Sequence, residues 1–270
     1  MGRTLRDSMD TPRVSIVLPT YNRAGLLPAA VQSCLDQTVR ELELIIVDDG
    51  SMDGTLDVAR KLAAGDSRVR VISQKNAGLP SALNRGFAEA QGEFWTWTSD
   101  DNRYHPDAIE VMLRELEHNP ESGMVYMDYQ AVDEKGCVME RIENRHLKDL
   151  AVMNVIGPCF LYRSSIAKQV GKYDPHLCLI EDWDYWLRMD QVAPIRYLPG
   201  ISYDFLDHGG SLTRRKQLEV LEAELKMRKR TSHAEGGAVL RQKSVARRLS
   251  TLHWAAGNKL RALYFRMQSF

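Results

Sequence analysis

Leu44-Ile45-Ile46-Val47-Asp48-Asp49-Gly50-Ser51 is an apolar, β-branched run that stops abruptly on two carboxylates and a turn. A run this short, bounded by Asp-Gly, predicts a strand buried on both faces rather than a helix. Working outward, Val14-Ser15-Ile16-Val17-Leu18 predicts a strand before it, and Val69-Arg70-Val71-Ile72 and Phe94-Trp95-Thr96-Trp97 predict two after it. Segments of helical period lie between them. Leu27, Ala30, Val31, Cys34 and Leu35 share one helix face, as do Leu56, Ala59, Leu62 and Ala63, and again Leu79, Ala82, Leu83, Gly86, Phe87 and Ala90. The second of these helices stops at Gly65, where a left-handed cap is expected, and the third runs to Gly92. Strands alternating with helices in this way predict an α/β fold of βαβ units around a mostly parallel sheet. Beyond Asp101 the pattern changes to a helix around Pro106 to His118, a strand at Met124 to Tyr129 and a hairpin turning at Glu134-Lys135-Gly136, an α+β second half.

With 270 residues, 44% hydrophobic and 27% charged, the chain can bury a large core without disulfide or metal staples, and disordered or fibrous classes are excluded. Its 36 basic and 36 acidic residues cancel, which argues against a dedicated nucleic-acid binder. Four scattered cysteines form no C-x-x-C pair, so reduced, mostly buried thiols are expected rather than a zinc or redox motif. Residues 1–12 have no apolar core and read as a flexible leader, and no run approaches the roughly 18 apolar residues of a membrane span, so a cytoplasmic protein is expected. Charge is unevenly spread, however. Ser211 to Phe270 hold 14 Lys or Arg against 4 Asp or Glu, a net of +10, leaving −10 on residues 1–210. Within that tail Val245, Leu249, Leu252, Ala256, Leu260, Leu263 and Met267 form the stripe of a long amphipathic helix. Two uses of residues 238–268 remain open: peripheral contact with an anionic membrane at its inner face, or packing on the acidic body or a second subunit, which is favoured because an apolar stripe usually meets protein.

In an open α/β sheet, ligands bind beyond the carboxyl ends of the strands. There the sequence sets Pro19-Thr20-Tyr21-Asn22-Arg23 after the first strand, Asp48-Asp49-Gly50-Ser51 after the second and Ser99-Asp100-Asp101-Asn102 after the fourth. Two acidic pairs at one edge repel each other unless a cation or a raised pKa relieves them, and a divalent metal is the simplest relief. The glycine signatures of a P-loop and of a dinucleotide fold are both missing.

These residues resemble glycosyltransferase family 2, the inverting enzymes with the GT-A fold, over about Val14 to Arg215. Val14-Ser-Ile-Val-Leu-Pro-Thr-Tyr-Asn-Arg is similar to the family's opening strand and nucleotide loop, and Ile46-Val-Asp-Asp-Gly-Ser-Met-Asp-Gly-Thr to its acidic turn. Asn76-Ala-Gly-Leu and Asn84-Arg-Gly resemble its third helix, and Thr98-Ser-Asp-Asp-Asn its D-x-D metal motif, in the variant of the spore-coat polysaccharide type. Gly171-Lys-Tyr-Asp and Glu181-Asp-Trp-Asp-Tyr-Trp-Leu-Arg match the acceptor-side half. The resemblance implies a GT-A domain over 13–215, with a nucleotide-binding half (13–102) and an acceptor half (103–215), followed by the basic extension 216–270. It implies that Pro19, Thr20, Tyr21, Asp49, Asn84, Asp100 and Arg214 bind the nucleotide-sugar, with Tyr21 stacking on the base, Asp49 accepting from the base imide and Asp100 facing the ribose or sugar. Asp101 and His208 would hold Mn²⁺ or Mg²⁺ on the diphosphate, and Asp182 would be the general base. The partners implied are a nucleoside diphosphate sugar donor, a UDP-sugar being favoured, and a glycan or lipid-linked acceptor.

From the residues themselves, Asp182 is also placed to cap the helix over Trp183 to Arg188, the general-base role being favoured, and Trp183 and Trp186 are placed either to floor an acceptor sugar or to pack in the core. Arg214 and Arg215 form a basic pair suited to clamping diphosphate oxygens. Leu206 stands where family members commonly carry an Arg, a departure in the phosphate contact. Two other functions stay open: a sugar-phosphate nucleotidyltransferase, although the basic glycine-rich loop it needs after the first strand is missing, and a non-catalytic nucleotide-sugar-binding scaffold of the same fold.

Overall fold

A computed structural model of the chain describes residues 11–144, 147–150, 153–208, 219–224 and 227. Arg214, Arg215 and the basic stripe from Val245 to Met267 lie outside the described residues, as does most of the expected leader. The first half alternates as its periodicities predict: β1 (Val14–Thr20), α1 (Leu27–Leu35), β2 (Leu42–Asp48), α2 (Thr55–Gly65), β3 (Val69–Ser73), α3 (Leu79–Glu89) and β4 (Phe94–Trp97). Its strands are parallel, in the order β3-β2-β1-β4.

The second half contains β5 (Arg103–Tyr104), α4 (Ala108–His118), β6 (Met124–Val132), β7 (Val138–Ile142), β8 (Phe160–Arg163), α5 (Ser164–Val170), α6 (Glu181–Asp190) and β9 (Ile195–Leu206). The sheet continues through β8, β6, β9 and β5, with β7 added to β6 as the expected hairpin. Strand β8 is antiparallel to both β4 and β6, so β6 again runs in the direction of β4, and β9 lies parallel to β6. All these parallel strands therefore deliver their carboxyl ends to one edge.

Two apolar layers sandwich the sheet. One face is covered by α1, α2 and α4, and the other by α3, α5 and α6, whose Trp183, Trp186 and Met189 are fully buried. Helical residues 219–224 add Leu221 and Ala223 to the covered surface, and Met227 joins the second layer. Among the described residues no helix is long and apolar enough to cross a membrane.

Three local expectations are corrected. Gly65 is the last residue of α2 and does not take the left-handed conformation; the chain leaves the helix through Asp66 in extended geometry, so no glycine-specific cap is formed. Helix α3 ends at Glu89, short of Gly92, because Ala90 turns extended. Cys34 and Cys159 are buried, but Cys137 and Cys178 are exposed, so the thiols are not mostly buried.

Pro19 looks misplaced in a central strand, since it lacks a ladder donor. Val17 accepts from Thr98 on the β4 side, so Pro19, two residues on, also faces β4, where pairing has already ended at Trp97. No hydrogen bond is lost. Gly86 has a different reason: a Cβ there would lie 2.4 Å from Cγ1 of Val17 and 3.1 Å from Cγ2 of Val47, so only glycine lets α3 rest on β1 and β2. Gly86→Ala is expected to lower stability by about 1–3 kcal/mol through overpacking, measured as an earlier urea midpoint; an unchanged midpoint would contradict this close approach.

Candidate active site

The loops after β1 and β2 are built into each other. Thr20 accepts from the Asp49 N–H at 2.9 Å, the Ser51 hydroxyl accepts from the Asn22 N–H at 2.9 Å, and the Asn22 side chain accepts from the Met52 N–H at 2.8 Å. Thr55 and Asp53 accept from the Arg23 and Ala24 N–H groups. Asn22 can sit at φ 54° in the middle of this knot because asparagine tolerates the left-handed region and bonds locally. The knot leaves Tyr21, just after β1, 43% exposed.

Asp49 is buried, and its carboxylate gathers the next loop. Oδ1 accepts from the Gln74 side chain (2.8 Å) and the Ala77 N–H (2.9 Å), and Oδ2 from the Gly78 N–H (2.8 Å). Its neighbour Asp48 turns the other way, to the Ser51 N–H and the Ser73 hydroxyl. Asp49 thus fixes the start of α3, leaving one of its four lone-pair sites for a ligand. Asn84 is not turned to the cleft: its amide donates to the Tyr173 carbonyl at 2.8 Å and accepts from the Tyr173 N–H at 2.9 Å, tying α3 to the loop after α5.

The second acidic pair splits between two partners. Asp100 lies 3.7 Å from the Arg23 guanidinium. Burial pushes its carboxyl up to about 6, and the charge of Asp101 acts the same way, against the opposing pull of Arg23. Asp101 instead meets His208, Oδ2 to Nε2 at 3.1 Å, both side chains mostly shielded. These residues are 107 apart in sequence, and Asn102 brings them together: buried between the strands, its Oδ1 accepts from the Leu206 N–H at 2.9 Å, two residues before His208. Tyr203 on β9 adds a 2.6 Å hydroxyl contact to Thr98.

A carboxylate and an imidazole in contact form a two-residue donor set that fits a divalent cation whose remaining ligands come from phosphate oxygens and water. An imidazole in the set suits Mn²⁺ better than Mg²⁺. Among the described residues no group of three or more His, Cys, Asp or Glu converges as a complete protein cage.

Asp182 stands in the first turn of α6, half-buried. It is not the cap residue, which is Ile180. Its Oδ1 accepts from the Trp183 N–H at 2.7 Å and its Oδ2 from the Asn154 amide at 2.8 Å. Burial raises its carboxyl above the usual range, opposed by those two donors. Beside it, Glu181 is more deeply buried and its Oε2 has no hydrogen-bond partner; burial, reinforced by the Asp182 charge, pushes this carboxyl up to about 8. Trp183 and Trp186, each 1% exposed, are core residues and offer no floor to a sugar. The structure thus adds Arg23, Asn102 and Asn154 to the residues named from sequence.

Residues 15–171, more than half of the chain, match the family described as glycosyl transferase family 2. The chain belongs to this family. Over 197 residues it is 32% identical to an uncharacterized glycosyltransferase of Rickettsia conorii, an overlap covering 68% of this chain and 32% of that protein. It is 29% identical over 208 residues to a chondroitin synthase of Escherichia coli, covering 76% of this chain and 30% of the synthase. The chain therefore spans about a third of the length of either relative. Among solved structures, S. aureus TarS 1-349 in complex with UDP-GlcNAc matches 90% of this chain and 73% of its own, with TM-score 0.66 and 17% identity. The mannosyltransferase PcManGT from Pyrobaculum calidifontis in complex with GDP-Man and Mn²⁺ matches 95% of this chain and 79% of its own, with TM-score 0.67 and 15% identity. The family 2 chain shares their GT-A fold.

Glu181 makes a pH prediction. A carboxyl whose folded value lies above its unfolded one binds extra protons in the native state, so its contribution is fully present below about pH 4.5 and is lost as pH rises through about 8. Glu181→Gln is expected to remove this loss. Thermal melts from pH 5 to 9 should show the variant gaining on the natural chain as pH rises, whereas parallel curves would contradict the buried carboxyl.

Proposed function

We propose that the chain transfers a sugar from a nucleoside diphosphate sugar, a UDP-sugar being favoured, to a hydroxyl of a glycan or lipid-linked acceptor with inversion, in a metal-dependent reaction with Asp182 as general base. The observation that carries the reading is the contact between Asp101 and His208 at the carboxyl edge of the sheet, next to the Asp49 and Tyr21 loops. Family membership supports sugar transfer, and UDP-GlcNAc and GDP-Man in the two structural neighbours support a nucleotide-sugar donor. A chondroitin synthase among the relatives supports a glycan acceptor.

In this reading the ring of the exposed Tyr21 stacks on the base, and the remaining lone pair of Asp49 accepts from its imide N–H. Asp100 and Arg23 meet the ribose and sugar. Asp101 and His208 hold Mn²⁺ or Mg²⁺, which, when bound, neutralises the diphosphate and the charge that develops as it leaves. Asp182 takes the proton of the acceptor hydroxyl while that oxygen bonds to the anomeric carbon from the face opposite the diphosphate. The bond from that carbon to the diphosphate oxygen breaks, its electron pair leaving with the nucleoside diphosphate, and the configuration inverts.

Calorimetry with UDP, TDP and GDP, each with Mn²⁺ and with EDTA, tests the donor site. One nucleotide is expected to bind only with metal, and Asp101→Ala or His208→Ala to weaken it by at least tenfold. Asp182→Asn is expected to retain that binding while transfer falls by about 10²–10⁴-fold. Failure of all three nucleotides, with or without metal, would contradict this donor site and point to a donor carried on another nucleotide or on a lipid phosphate, whereas binding without transfer would favour the scaffold reading.

A further inference from the structure

Residues 147–150 and 153–156 lie against the second apolar layer, with Leu147, Leu150, Val155 and Ile156 packed into it. They open with a 3-10 turn, Leu147–Asp149, and Leu150 and Ile156 are buried. Two hydrogen bonds fasten them to the first turn of α6. The Trp183 indole donates to the Leu150 carbonyl at 2.7 Å, and the Asn154 amide donates to Asp182 at 2.8 Å. Asn154 also accepts from the Ile156 N–H at 3.2 Å, an Asx-turn. That second bond decides the orientation of the amide, because a backbone N–H only donates and must face the oxygen end. The NH₂ end is left pointing at Asp182.

We infer that Asn154 is a positioning residue for Asp182, selecting which of the adjacent Glu181 and Asp182 carboxyls carries the negative charge. Two carboxyls one residue apart in a shielded turn do not both ionise readily. Asp182 accepts through both oxygens, from the Trp183 N–H and the Asn154 amide, whereas Glu181 is served only by backbone N–H groups of residues 179–181 and its buried Oε2 has no partner. Donors stabilise a carboxylate and an unpartnered buried oxygen does not, so the charge settles on Asp182 and Glu181 keeps its proton. Among the described residues Tyr173, from the loop after α5, also senses the Asp182 charge, and as a buried phenol it keeps its proton. Asp182 as a residue is half-buried, less enclosed than Glu181 beside it. Trp183, read from sequence as a sugar floor or a core residue, holds the segment that carries this amide.

The inference rests on Asp182 being the general base, and the test separates the two. In the full chain labelled with ¹³C-aspartate, the Asp182 carboxyl resonance is assigned by its loss in Asp182→Asn and followed against pH. Asn154→Asp keeps the Asx-turn but cannot donate, and Asn154→Ser keeps a similar turn but is too short to reach. In both variants the proton affinity of Asp182 is expected to rise by about tenfold or more. The acidic limb of UDP-GlcNAc or GDP-mannose hydrolysis, with water as acceptor, should move by the same amount at unchanged donor KM. An unmoved Asp182 titration in either folded variant overturns the inference, and so does a rise in donor KM with the acidic limb in place, which marks a structural role. If Asp182→Asn hydrolyses donor at the unaltered rate, the base assignment fails, while the titration still decides whether Asn154 controls this carboxyl.

Discussion

Four carboxylates, Asp48, Asp49, Asp100 and Asp101, crowd the carboxyl edge of three adjacent parallel strands, and their mutual repulsion is the constraint around which the site is arranged. Each is relieved differently. Asp48 is turned into its own strand ends, Asp49 is surrounded by amide donors, Asp100 is set against Arg23, and Asp101 is paired with His208. Those four solutions fix the loops after β1, β2 and β4 and the end of β9, so a problem of charge defines the shape of the cleft. Asp182, on α6, meets the complementary difficulty of a charge near apolar surface, and its answer is again a set of hydrogen-bond donors.

The second half of the fold exists largely to return the chain to this edge. Antiparallel β8 reverses direction so that β6 and β9 run with the first four strands, and β9 is long enough, at twelve residues, to carry His208 back to Asp101. A buried row of hydroxyl contacts, Thr96 with Tyr104 and Thr98 with Tyr203, stitches β4 to β5 and β9 beneath it. Asn102 completes the return by accepting from the Leu206 N–H near the end of β9.

Much of this was legible in the sequence, for physical reasons that differ by residue. The strands of the parallel half announce themselves as short β-branched runs, and Asp49, Asp100 and Asp101 follow them directly, so topology alone brings these acids to one edge. The place of Asp182 at the start of a helix was legible from the Glu181-Asp182 motif, and the structure puts it in the first turn of α6. Asn154 was not, because it lies in an irregular segment where no periodicity carries information and its role depends on a contact 28 residues away. Trp183 and Trp186 were ambiguous for another reason: an aromatic at helical spacing has the same signature whether it faces a ligand or the core. Asn84 shows a further limit, since a polar residue next to a motif glycine binds backbone as readily as substrate.

The knot between the loops 20–24 and 49–55 has a consequence for how ligand affinity divides across the molecule. Because the two loops hold each other by backbone and short side-chain bonds, most of their conformational entropy is surrendered during folding, before any ligand arrives. In the proposed reading, a base stacking on Tyr21 would meet loops whose arrangement is already fixed, so shape complementarity there would convert directly into selectivity. Asn154 is fastened differently: its side chain donates to Asp182 on α6, and the Trp183 indole holds the Leu150 carbonyl, while Leu150 and Ile156 are buried in the second apolar layer. The loops after β1 and β2 are thus set by folding itself, before any partner arrives, whereas the orientation of the Asp182 carboxyl depends on two hydrogen bonds, one of them from a single side chain, Asn154.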